Sequence, residues 1–336
     1  MTNSSMNESH YLPLKPLPDA PRVTVITICK DRAWCIEECV RSVLRQDYPN
    51  IEYIVQDGAS TDDTLDVLKK HGARVQVHSE PDRGPIDALH KALARATGDI
   101  FCLLLSDERF YENNVVSRLV NEFRKHPASG AIYGDFRSVD IDYQEIRREL
   151  KRQLTFEDIF CQEDFISPCA AFVRTDALKE NGVLRSDLRS FFDAIGDFGL
   201  WVCVGSRYPL TYVPGVIADF MVHGGEISYG LQHCQGYIRE CEGAIEAFQS
   251  DIYAPKDLVA LKKRAVSRLY LNFASLLSGR YFAEPVRLAW KAIRIRPALI
   301  FSRTLLAVFV KASGLSSLLT LGSGSRRMRL SQSPSR

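Results

Sequence analysis

Residues Ile100–Leu105 (IFCLLL) form an uninterrupted apolar run of strand length, and Ser106, Asp107 and Glu108 follow at once. A run without polar alternation fits a strand covered on both faces, as strands in a parallel sheet are. Just upstream, Pro81 and Gly84 break regular structure around Asp82 and Arg83. Ile86, Leu89, Leu93 and Ala96 then recur at helical spacing, and Gly98 stops the helix. The stretch from Ser79 to Glu108 therefore reads as turn, helix, buried strand and acidic pair.

The flanking sequence repeats this order. Val23–Cys29 is a β-branched first strand, and Trp34–Arg45 an amphipathic helix. Ile51–Val55 is a second strand ending at Gln56-Asp57-Gly58. Ser60 is placed to cap a helix running through Lys70, with acids in its first turn and lysines in its last. Arg74–His78 is a third strand, Asn113–Lys125 another amphipathic helix, and Ala131–Tyr133 the start of a further strand. Strands alternating with helices of about 10–15 residues indicate βαβ units and an α/β fold with a mostly parallel central sheet. Beyond residue 135 the alternation weakens. Thr155–Phe160 reads as a short helix, Cys169–Arg174 as a short strand, Phe198–Val204 as a helix and Leu210–Val213 as a strand. From Lys256 to about Leu321 the pattern is helical.

Acids follow the strands: Asp31, Asp57, Glu80 with Asp82, and Asp107 with Glu108. Open α/β sheets bind ligands at that carboxyl edge, so these residues are expected to hold a divalent metal and a phosphorylated substrate. Each has a structural alternative. Asp107 and Glu108 also suit a helix cap, Asp57 an Asx turn, Asp82 with Arg83 a surface ion pair, and Asp87 with Lys91 an i, i+4 pair. Asp197, in the mostly apolar FFDAIGDFGLWVCVG, is a candidate general base, with Asp193 as competitor and a helix cap as the alternative. His223, beside Gly224 and Gly225, can approach a metal or pyrophosphate closely.

Composition narrows the class. A net charge of +2 gives no global basic field for nucleic acid. Nine cysteines without a CxxC pair suggest free thiols in a reducing compartment. The first 21 residues lack the basic start and apolar core of a signal peptide. No apolar run reaches the roughly 18 residues of a membrane span. A cytoplasmic protein is expected. Ala298–Leu321 is strongly apolar but broken by Arg303 and Lys311, and an acid-free tail follows with Arg326, Arg327, Arg329 and Arg336. Residues 298–336 thus suit either a helix packed on the domain or a peripheral contact with the inner face of an anionic membrane. No P-loop, GxGxxG or GxSxG motif is present.

VTVITICKDR, SVLRQDYPNIEYIVQDGASTDDT, SEPDRGPIDALHKALARATGDIFCLLLSDE and DFGLWVCVGSRYPLTYVPGVIADFMVHGGEIS occur in this order. Together they resemble the family-2 inverting glycosyltransferases of the GT-A fold, over about residues 22–230. The resemblance implies transfer of a sugar from a nucleotide-diphosphate donor, with Mg²⁺ or Mn²⁺, to a glycan or lipid-linked acceptor in cell-surface polysaccharide synthesis. It implies donor contacts by Thr27, Lys30, Asp31, Asp57, Glu80, Asp82, Arg83, Asp87 and Ser106. It implies metal contacts by Asp107, Glu108 and His223, and Asp197 as catalytic base. The family's DxD motif reads Leu105-Ser106-Asp107 here, so its first acid is missing, and Lys30-Asp31 replaces the more usual Asn before Arg32. The expected organisation is a flexible leader (1–21), a GT-A domain (22–250), a helical region (251–322) and a basic disordered tail (323–336). A sugar-phosphate nucleotidyltransferase and a degenerate donor-binding protein are the alternatives.

Overall fold

The computed structural model describes residues 11–179, 198–223, 231–248, 257–278 and 281–312. The chain divides into two compact units, Met1–Lys262 and Lys263–Arg336.

The first unit is built on one nine-stranded sheet. β1 (Val23–Cys29), β2 (Ile51–Asp57), β3 (Gln76–Ser79) and β4 (Ile100–Leu103) pair in parallel, in the order β3-β2-β1-β4. Between them run α1 (Ile36–Leu44), α2 (Thr64–Lys69) and α3 (Pro85–Arg95). β5 (Glu108–Phe110) and α4 (Val115–Lys125) come next, then β6 (Ala131–Val139), β7 (Glu145–Glu149), α5 (Phe156–Phe160), β8 (Ala171–Arg174) and α6 (Thr175–Lys179). α7 spans 198–205, β9 is Leu210–Met221 and α8 is Leu231–Ala247. β8 lies antiparallel between β4 and β6, β6 runs parallel to β9, and β5 and β7 are antiparallel edge strands. The parallel half is the expected one, and the other half makes the sheet mixed.

Alternate strand residues face opposite layers, which explains the unbroken apolar runs. Val23, Val25, Tyr53, Val55, Ile100 and Cys102 meet Ile36, Val40, Leu119 and Phe123 on the α1/α4 side. Ile26, Ile54 and Phe101 meet Leu89, Leu93, Trp201 and Val204 on the α3/α7 side. α3 begins where Gly84, at φ +126°, turns the chain into Pro85 at the first helical position.

Four expectations need correction. β4 ends at Leu103, because Leu105 N–H donates to the Glu108 carboxylate (2.7 Å) and closes a turn that redirects the chain into β5. β5 and β7 were not legible as strands: one has three residues, and the other (EIRRE) is charged and mostly exposed. Ser60 does not cap α2, which starts at Thr64; Ser60 is bound to Asp57 instead. The described part of the leader is tied down: Leu12 N–H donates to Arg207 O, the Tyr48 hydroxyl to Pro21 O, and the Asn50 amide to Ala20 O.

In the second unit, α9 (Leu258–Leu277, begun in the first) leads to α10 (Ala283–Ile295), a 3₁₀ turn at Pro297–Phe301 and α11 (Arg303–Ala312). The expected helical stretch beyond Ala312 and the tail lie outside the described residues. No described helix is long and apolar enough to cross a membrane. No disulfide joins the nine cysteines, all of which are buried.

Candidate active site

The loops after β1 and β2 are sewn together. Asp31, at φ +52°, accepts Thr61 N–H at 2.8 Å and gives its own N–H to Ser60 Oγ at 2.8 Å. The Thr61 backbone bond holds the Asp31 carboxyl below the usual range. Arg32 N–H donates to Thr64 Oγ1 and Ala33 N–H to Asp62. Lys30 stays exposed at the mouth of this clasp.

Asp57 ends β2 fully buried. It accepts Ser60 N–H at 3.0 Å, the Ser79 hydroxyl at 2.6 Å, and the Ser60 hydroxyl. The Cys29 thiol points at it from 3.7 Å. In this structure its carboxylate locks three loops, which is the Asx-type role. Gly58 follows because a Cβ there would strike the Asp82 carboxylate and stand 3.4 Å from Lys30 Cβ. The ends of β1, β2 and β3 therefore converge on one spot. Thr27 is not open to a ligand here: it is fully buried, donating to Leu104 O at 2.8 Å beside the Tyr53 hydroxyl.

The turn after β3 is an ion-pair network. Arg95 holds Glu80 at 2.8 Å and also donates to Gln56, with Lys91 3.6 Å from Glu80. The Arg95 bond keeps the Glu80 carboxyl below its ordinary value. Asp82 accepts Gly84 N–H at 2.9 Å. Asp87 accepts both the N–H and the guanidinium of Arg83 at 3.1 Å, and those bonds depress its pKa. Arg83 remains 87% exposed.

At the end of β4 the expected metal set separates. Asp107 meets His223, just beyond β9, with Oδ2 3.0 Å from Nε2. The indole of Trp34 packs edge-on against the imidazole, ring centres 5.2 Å apart, and is itself 54% exposed. Burial, then the negative charge of Asp107, pushes the Cys35 thiol beneath up to about 12, and buried Ser106 hydrogen-bonds to the same sulfur. Glu108 does not join this pair in a three-ligand cluster. It is buried, and its carboxylate closes the turn on Leu105 N–H. Among the described residues no three His, Cys, Asp or Glu groups stand close enough to hold an ion by themselves. Asp107 and His223 offer one carboxylate and one imidazole. That fits a divalent ion whose other positions are filled by substrate phosphates and water.

A cavity of about 260 Å³ opens beside Glu108, lined by Ile86, Leu89, Leu103, Leu105, Phe165 and Trp201 among others. Leu105 faces this apolar space, so the position of the motif's missing first acid is part of a hydrophobic wall. Asp197, the expected base, lies outside the described residues, as does Asp193.

Sequence reasoning missed Trp34, Arg95 and the cluster around Asp219. Asp219 on β9 is 1% exposed and takes bonds from Arg109 (2.9 Å) and Arg137 (2.7 and 2.8 Å). Arg109 also stacks on Tyr143 and Arg137 on Tyr111. An exposed tryptophan directly after a strand carrying an acidic loop was the one available signal for Trp34.

The chain is similar to known proteins in sequence and in fold. Residues 24–182 match the sequence model of glycosyl transferase family 2. A PGL/p-HBAD biosynthesis glycosyltransferase of Mycobacterium tuberculosis is 31% identical over 120 residues, which cover 34% of this chain and 47% of that protein. The chain thus spans about half the length of the mycobacterial relatives it matches. Chondroitin synthase of Escherichia coli is 32% identical over 127 residues, covering 37% of this chain and 18% of the synthase. Among solved structures, S. aureus TarS 1–349 with UDP-GlcNAc superposes with a TM-score of 0.57 at 14% identity, over 88% of this chain and 92% of that one. The mannosyltransferase PcManGT of Pyrobaculum calidifontis, in complex with GDP-Man and Mn²⁺, gives 0.55 at 18% identity, over 91% and 88%. These superpositions show the GT-A fold.

Proposed function

We propose that this chain, whose residues 24–182 belong to glycosyl transferase family 2, is an inverting glycosyltransferase. It moves a sugar from a nucleotide-diphosphate donor to a hydroxyl of a glycan or lipid-linked acceptor, in cell-surface polysaccharide synthesis. The observation that carries this reading is the Asp107–His223 pair at the carboxyl edge of the parallel strands, under the exposed Trp34 ring.

The loops after β1, β2 and β3 form the donor cradle. Lys30 and the Asp31 clasp flank the nucleoside, and Asp57, through Ser60 and Ser79, holds the two loops that present Gly58 and Asp82. Arg83, largely exposed at the start of α3, offers a guanidinium to phosphate oxygens. Asp107 and His223 would hold Mg²⁺ or Mn²⁺, which offsets charge on the departing diphosphate. Asp197 takes the proton from the acceptor hydroxyl as that oxygen attacks the anomeric carbon. Attack from the face opposite the leaving group inverts the linkage. The apolar cavity beside Glu108 favours an acceptor with an apolar part. UDP-GlcNAc bound by TarS and GDP-Man bound by PcManGT support a nucleotide-sugar donor.

The test is Asp197→Asn. Donor binding is retained while transfer falls by about 10²–10⁴-fold. Unchanged turnover removes Asp197 from the mechanism. Retention of the donor's anomeric configuration in the product, read by NMR, rejects the single displacement.

A further inference from the structure

We infer that the unit from Lys263 onward docks on an anionic lipid surface. The near-neutral total hides a sharp division of charge. Lys263–Arg336 holds fourteen Lys or Arg and a single acid, Glu284, whereas residues 1–262 hold 29 basic and 40 acidic side chains. The lone acid is bound by Arg287 at 2.5 Å. A cationic unit attached to an anionic one is the charge pattern of a surface-binding appendage.

Exposed apolar side chains stand among these cations. α10 buries Leu288, Ala289 and Ala292 and turns Trp290 outward, 53% exposed. Arg287 and exposed Arg294 lie one turn to either side of that indole. The 3₁₀ turn that follows presents Ile300, and Phe301 at 91% exposure. α11 buries Leu305 and Val308 while Leu306, Arg303 and Lys311 face solvent. A phenyl ring left almost wholly in water gains nothing for the fold. Aromatic and aliphatic side chains interleaved with arginine are the composition of an interfacial membrane contact.

The same features choose among occupants. A second copy meeting through this same patch would bring two cationic surfaces together, which charge repulsion opposes. A nucleic acid would satisfy the arginines but give Ile300 and Leu306 no apolar partner. An anionic bilayer satisfies both, with arginines at the headgroups and Trp290, Ile300, Phe301 and Leu306 at the acyl boundary. The described part of α11, with Arg303 and Lys311 exposed beside Leu306, suits lying along such a surface.

The experiment is co-sedimentation of the full chain with vesicles of phosphatidylcholine alone and of phosphatidylcholine with phosphatidylglycerol. Binding is expected only to the phosphatidylglycerol vesicles. Each cation removed costs about fivefold, so Arg294→Gln with Arg303→Gln weakens binding roughly 25-fold. Trp290→Ser with Phe301→Ser weakens it tenfold or more. Both double variants keep the parent's circular dichroism and its donor turnover in solution. The inference is overturned if the parent stays in the supernatant, if neutral vesicles bind equally, or if neither double variant loses binding. It is also overturned if the patch proves to mediate self-association or oligonucleotide binding without vesicle binding.

Discussion

Asp107 and His223 stand 116 residues apart in the chain and 3.0 Å apart in the fold. One leaves β4 and the other leaves β9, so the parallel half and the mixed half of the sheet each contribute one member of the pair. Replacing His223 by Ala leaves Asp107 to hold the ion with substrate phosphates alone. The Mn²⁺ concentration for half-maximal activity should rise about 10–100-fold. A metal titration of the initial rate checks this, and an unchanged titration removes His223 from the metal site.

Gly58 allows the ends of β2 and β3 to approach. Gly58→Ala pushes the Asp82 carboxylate aside. A shift of about 1 Å in a positioning group costs roughly a hundredfold in kcat/KM. Loss of stability should be only about 1–3 kcal/mol. Steady-state kinetics beside a thermal melt separate the two effects; unaltered kinetics would show that the cradle does not depend on this approach.

Asp219 carries the mixed half of the sheet. Its buried carboxylate takes three bonds from Arg109 and Arg137, so Asp219→Asn leaves two guanidinium groups without their shared counter-charge. The cost should be about 3 kcal/mol, read from urea unfolding. A variant as stable as the parent would show that Tyr143 and Glu38 hold Arg109, and Tyr111 and Glu145 hold Arg137, without Asp219.

Glu52 makes stability depend on pH. Burial pushes its carboxyl up, but hydrogen bonds from the Thr24 hydroxyl (2.5 Å), Thr97 N–H (2.8 Å) and the Thr97 hydroxyl (2.7 Å) outweigh burial and hold it below the ordinary value. A depressed folded pKa contributes stability above the unfolded value of about 4.3, which is lost as pH falls through the folded value. Urea midpoints should therefore drop as the medium is acidified below about pH 5. In Glu52→Gln the midpoint should be lower at neutral pH and the acid slope shallower. Equal slopes in both proteins would contradict the assignment.

Much of the parallel half was legible in the sequence because each strand there is covered on both faces. Val23–Cys29 and the start of Ile100–Leu105 carry that as unbroken apolar runs, and helical spacing fills the gaps. The mixed half was not legible. β5 is too short to show a period, β7 is a charged edge, and β9 extends eight residues past the expected Val213 through Pro214 and Gly215. At the candidate site, sequence position brought the acids to the carboxyl edge of the sheet but could not tell which of them stay partly exposed. Asp107 does, while Asp57 and Glu108 are turned into the protein by Ser60, Ser79 and Leu105 N–H. Those hydrogen bonds are tertiary, or depend on a turn whose closure no periodicity reveals. Trp34 was passed over because its partner, His223, is distant in the chain.

The most direct measurement is nucleoside diphosphate release from a panel of nucleotide sugars with Mn²⁺, in the parent and in Asp107→Asn. The account predicts metal-dependent release of nucleoside diphosphate from one donor, reduced about 10²–10³-fold in the variant. Release of pyrophosphate, no release from any donor, or release that Asp107→Asn leaves unchanged would contradict it.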